Sequence, residues 1–100
     1  MARSRTELHT KLKAITDNVY FQPPETVKME YPCIVYQRSD IKTDFADDLP
    51  YSRMKRYQVT VIDLNPDSDI PDRVGALQLC TFDRFFTADK LNHDVFSLFF

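Results

Sequence analysis

The sequence predicts an α+β domain: a four- to five-stranded, mainly antiparallel sheet with two helices packed on it, in the order αβββαββ, with a long β-hairpin loop. Three observations carry this. Apolar residues recur at helical spacing in only two short segments, β-branched and aromatic runs of strand length fill most of the rest, and proline or Asx residues punctuate the joins. The chain has 100 residues, 43% of them hydrophobic and 28% charged, which suits one modest core and a single domain over residues 1–100.

The elements follow in order. Ser4-Arg5-Thr6-Glu7 has the form of a capping box, and Leu8, Leu12 and Ile15 behind it predict an amphipathic helix over Arg5–Thr16, ended by Asp17-Asn18. Val19-Tyr20-Phe21 is a short strand stopped by Pro23-Pro24. A second strand covers Cys33–Arg38, with Pro32 at its mouth. The third, Tyr51–Leu64, alternates Tyr57, Val59 and Val61 with Gln58 and Thr60, the period of a sheet with one packed face and one wetter face. Between them Asp40–Pro50 has no glycine for a two-residue primed turn and reads as a long projecting loop. Asn65–Asp69 breaks the strand, and Asp69 caps a helix over Ile70–Leu79 with Pro71 in its first turn. Gly75 inside that helix implies a close approach to the sheet. Thr81–Phe86 and Val95–Phe100 are the last strands, joined by a polar turn over Thr87–His93.

Composition excludes several kinds of chemistry. Gly75 is the single glycine, so phosphate-cradling loops, dinucleotide fingerprints and nucleophile elbows, all of which need several, have no basis here. A formal charge of −2 gives no global positive field for nucleic acid. Cys33 and Cys80 are too few for a disulfide framework, and the charged start Met1–Leu12 does not read as a secretory leader, so a reducing cytoplasm is expected. No apolar run approaches the ~18 residues of a membrane span.

Candidate catalytic groups are Cys33, Cys80, His9, His93 and Asp94. Both cysteines open apolar strands, where an inert thiol is expected, and His93 and Asp94, as strand neighbours, point to opposite faces. No catalytic residue and no cofactor is therefore assigned. Asp63-x-Asn65-x-Asp67 begins like a calcium loop, but Ser68 stands at the required glycine and Val74 at the bidentate glutamate; no metal ligand is assigned, although loop aspartates could share a divalent cation between subunits. The marked feature is charge segregation. Asp40, Asp44, Asp47 and Asp48 surround one lysine, Lys42, and Arg53, Lys55 and Arg56 follow. Either these are solvated faces or they form an interface between copies or with a partner. On residue chemistry alone the chain is a small α+β binding or assembly module, and a non-enzymatic adaptor or regulatory domain stays open.

Val19-Tyr20-Phe21-Gln22-Pro23-Pro24, Tyr31-Pro32-Cys33-Ile34-Val35-Tyr36, Asp40 with Ala46-Asp47, Arg56–Ser68 and Asn92-His93-Asp94-Val95-Phe96 together resemble the tail-completion proteins of long-tailed phages of Gram-positive bacteria, also called tail terminator or head–tail joining proteins. The similarity runs in order from about Val19 onward. It implies a non-enzymatic virion subunit, made in the host cytoplasm. Six copies would form a ring at the head-proximal end of the tail, with the tail tube protein and the head connector or stopper as partners. DNA would pass through without sequence-specific binding, and no membrane would be involved.

Overall fold

A computed structural model describes the backbone of residues 4–46 and 49–100 and the side chains of residues 4–39 and 55–100. The chain is α+β, with elements α1 (Arg5–Lys13), β1 (Val19–Phe21), β2 (Cys33–Ala46), β3 (Leu49–Asp63), α2 (Ile70–Gly75), β4 (Cys80–Ala88) and β5 (Leu91–Phe99). The strands form one sheet in the order β1-β2-β3-β5-β4. Only β1 and β2 run parallel; the other neighbours are antiparallel.

The alternation in β3 sets the layering. Tyr57, Val59 and Val61 are buried, and their cross-strand partners Ile34, Tyr36, Phe96 and Leu98 are buried on the same face. Leu8 and Leu12 of α1 and Ile70 and Val74 of α2 complete this core. Residues at i and i+4 share one side of a helix, so each helix offers a single apolar stripe. The two helices are also tied to each other. Arg73 of α2 donates from its two terminal nitrogens to the carbonyls of Ile15 (3.2 Å) and Ala14 (3.2 Å), placing a cation on carbonyls that the end of α1 leaves free.

Both helices are shorter than the sequence predicts. Ser4 caps α1 as expected, its Oγ accepting from the Glu7 N–H at 3.3 Å, but regular helix stops at Lys13. Beyond it the Ile15 N–H donates to Leu12 (2.9 Å), a tighter turn of the kind that commonly closes a helix. For α2 the expected Asp69 cap is absent. Its backbone is helical (φ −85°, ψ −7°) rather than extended, so its carboxylate makes no capping bond. Ser68 Oγ accepts from the Ile70 N–H instead, at 3.3 Å. The close approach at Gly75 is an ordinary one: a β-carbon there would lie 3.4 Å from the Phe96 ring.

Two loops predicted from sequence are mostly strand. Residues 40–46 and 49–50 continue the β2–β3 ladder as far as Ala46 opposite Leu49, with register shifts between Arg38 and Asp40 and between Asp44 and Phe45. Ile41, Thr43 and Phe45 alternate with Asp40, Lys42 and Asp44, the two-residue period a ribbon requires. The β1 pairing ends at Tyr36 and the β5 pairing at Arg56, so among the described residues β2 and β3 pair beyond those points only with each other, apart from the bond from the Phe100 N–H to the Lys55 carbonyl. The hairpin therefore extends as a two-stranded arm of ~20 Å at the usual rise per residue, and the molecule measures 51 Å along its longest axis.

The expected polar turn over Thr87–His93 is likewise only two residues, Asp89 and Lys90, between paired Ala88 and Leu91. Both have positive φ (53° and 65°), the signature of the primed turn whose twist matches a β-hairpin. Glycine is the usual residue for such a turn. Aspartate tolerates the left-handed region, but lysine is strained there. Lys90→Gly is accordingly expected to stabilise the fold by about 0.5–1 kcal/mol, the relief of strain exceeding the entropy glycine adds to the unfolded chain. A urea midpoint at or below that of the parent would contradict this.

Candidate assembly interface

At the root of the arm the parallel pairing of Phe21 with Tyr36 brings β1 alongside β2, while α1 crosses above. Tyr36 is fully buried, its ring 4.9 Å from that of Phe21 and 6.0 Å edge-on from Tyr57. Its hydroxyl is 2.7 Å from His9 Nδ1 and accepts from Arg5 at 3.1 Å. The Arg5 guanidinium also lies over the Phe21 ring, 4.4 Å from its centre. Burial, with Arg5 and Lys13 nearby, lowers the His9 pKa.

Arg5, Phe21, Gln22, Arg38, Lys55 and Tyr57 line an open cavity of about 310 Å³ at this root. Three basic side chains thus share a cavity with two aromatic rings. Burial and then Tyr36 raise the Tyr57 pKa, and Arg38 and Arg5 only partly offset them, so its phenol stays a neutral donor. An arrangement of this kind suits a carboxylate or another small anion.

The sequence-derived interface residues divide around this root. Lys55 belongs to the cavity. Arg56 does not line it: its Nε donates to Ser39 Oγ at 3.3 Å, and that hydroxyl donates to the Arg56 carbonyl at 3.1 Å. In backbone register Asp40 lies opposite Arg56, Asp44 opposite Ser52, and Arg53 opposite Thr43. Asp40 and Asp44 therefore lie on β2, and Arg53, Lys55 and Arg56 on β3. The side chains of Asp40, Asp44 and Arg53, and Asp47 and Asp48 entirely, lie outside the described residues, as does the shared-cation site suggested for that loop. Arg5, Phe21 and Arg38 were not singled out from sequence as site residues. Strand alternation alone could not group them, because it does not say that β1 lies beside β2.

The remaining candidates are spread apart. Cys33 is buried at the start of β2, and burial, with Asp63 nearby, pushes its pKa up to about 11. Burial raises Cys80 as well. Both shifts run opposite to those that activate a nucleophile. His93 stacks on Phe86 on the face away from the helices, with centroids 4.5 Å apart, whereas Asp94 lines a cavity with Asp72 and Phe96 beneath α2. The Asp63–Asp67 segment is a turn: Asp63 Oδ1 accepts from the Asn65 N–H (2.9 Å) and Asn65 Oδ1 from the Asp67 N–H (3.0 Å).

Asp94 carries a pH consequence. Burial and the neighbouring Asp72 raise its pKa, against a smaller opposing effect of His93. A carboxyl raised in the folded state favours folding while protonated and loses that contribution as pH rises through its folded pKa. Asp94→Asn is therefore expected to be more stable than the parent at pH 7, with the advantage vanishing below the ordinary aspartate value of 3.8. Thermal melts at the two pH values check this.

Comparison of the chain with protein-family models, with curated proteins and with solved structures found no match.

Proposed function

We propose that this chain is a structural subunit of the neck of a long-tailed phage, closing with copies of itself into a sixfold ring at the head-proximal end of the tail, between the tail tube and the head connector or stopper. The observation that carries the reading is the pairing of an arm rich in aspartate with a cationic root on the same protomer. Asp40, Asp44, Asp47 and Asp48 belong to the arm by sequence, and Arg5, Arg38 and Lys55 converge at its base. Such a protomer can place its acidic arm against the cationic root of the next copy, a head-to-tail contact that closes when the rotation permits. The resemblance over Val19–Phe96 supports the same role. A net charge of −2 suits a channel through which DNA slides, since many phosphate contacts would hold it.

The test is removal of the gene from its phage, with electron microscopy of the lysate. Filled heads and separate tails are expected, the tails of irregular length if the ring also ends the tube. Normal joined virions would refute the proposal.

A further inference from the structure

Strand β4 is the sheet's outer edge, and from Thr81 to Ala88 both of its faces are exposed. Phe82 and Phe85 are 54% and 52% accessible, and Phe86 is 39% accessible on the other face. Long apolar edges invite foreign strands, and proteins commonly protect them with charges and bulges. This edge has both: Asp83 and Arg84 sit at its centre, and the register with β5 shifts between Phe82 and Arg84, leaving Asp83 as an extra residue.

The bulge divides the strand into two halves of opposite parity. Through their β5 partners, Cys80, Phe82, Phe85 and Thr87 lie on the helix-covered face, and Thr81, Arg84 and Phe86 on the other. The Phe99 N–H bonds the Leu79 carbonyl at 3.1 Å. Alternation along an antiparallel ladder then turns the backbone groups of Cys80 and Phe82 toward the open edge and, from the two-residue turn at the far end, those of Phe85 and Thr87 as well.

We propose that β4 is a self-recognition edge: two copies of the free chain pair their β4 strands antiparallel, with Asp83 facing the partner's Arg84. In this register Phe82 faces the partner's Phe85, Cys80 its Thr87 and Thr81 its Phe86, and each of these three pairs matches in face. Each pair drawn from the four outward-turned residues also matches in hydrogen-bonding direction. A shift of one residue either way sets helix-face residues against open-face ones. The bulge selects the occupant. It puts a regular foreign strand out of step, whereas a second copy brings its own extra residue to the same place, so that the spacing from Phe82 to Phe85 is the same on both strands. Two-fold symmetry then makes two opposite-charge contacts and two aromatic pairs. This contact is independent of the proposed ring, whose contacts run through the arm.

The experiment is sedimentation of the full-length chain over a concentration series. A dimer is expected for the parent. Asp83→Arg and Arg84→Asp, both at exposed positions and checked for unchanged folding by circular dichroism, should each raise the dimer Kd by about tenfold or more, because like charges then meet twice. An equimolar mixture of the two variants should recover dimers, since a strand with two adjacent arginines then meets one with two adjacent aspartates. A parent that stays monomeric at high concentration, variants that dimerise as the parent does, or a mixture no better than its components would each overturn the proposal. None of these outcomes bears on whether the protein joins heads to tails.

Discussion

Tyr36→Ala is expected to cost about 3–5 kcal/mol, the range for emptying a large buried aromatic site. A domain of this size commonly has about 5–15 kcal/mol in all, so the variant should be partly unfolded at physiological temperature. The effect is large because one side chain joins three layers of contact. Its ring packs against Phe21 of β1 and Tyr57 of β3, and its hydroxyl engages His9 and Arg5 of α1. Tyr36→Phe separates the two contributions. It keeps the ring and should lose only about 1 kcal/mol, the usual net value of a hydrogen bond. Denaturant unfolding of both variants measures the difference, and equal losses would show that the hydroxyl rather than the packing secures α1.

Removing the arm is expected to have the opposite signature: little loss of stability and complete loss of assembly. Deleting residues 42–54 and joining Ile41 to Lys55 through Asn-Gly, a pair suited to a two-residue hairpin turn, leaves every strand pairing of β1, β4 and β5 in place. The bond from the Phe100 N–H to the Lys55 carbonyl (3.0 Å) is also retained. The shortened chain should melt within a few degrees of the parent yet fail to support joined particles when supplied to a phage lacking the gene. Joined particles at the parent's yield would remove the arm from the proposed contact, and a collapse in melting temperature would mean that it supports the core.

The fold class was legible because it rests on periodicity. The alternation of Tyr57, Val59 and Val61 with Gln58 and Thr60 identified both the strand and its buried face, and Leu8 and Leu12 identified the helix that covers it. What escaped were features set by tertiary context. Thr87–His93 read as a polar turn, yet the flanking ladders close it to Asp89-Lys90, two non-glycine residues held at positive φ. Asp69 had the right chemistry for a cap, but its helical backbone leaves Ser68 to do the work. The cationic root was hidden for a related reason. Arg5, Arg38 and Lys55 come from α1, β2 and β3, which only the packing of the helix over the sheet unites. Among the described residues of the charge blocks, Lys55 alone reaches that cavity; Arg56 turns to Ser39.

Strand β3 belongs to two different environments along its length. From Arg56 to Ile62 it is laced to β2 on one side and β5 on the other, and from Leu49 to Lys55 its only paired strand among the described residues is β2. A load applied to the arm along the strand axis enters the sheet through both of its strands, β2 held by β1 and β3 held by β5. There it is resisted by two ladders in shear, with many bonds strained together rather than peeled one at a time. The arm is thus a handle whose root is clamped from both sides, by β1 and by β5, so a pull along it would strain the two-stranded ribbon before it disturbed the core.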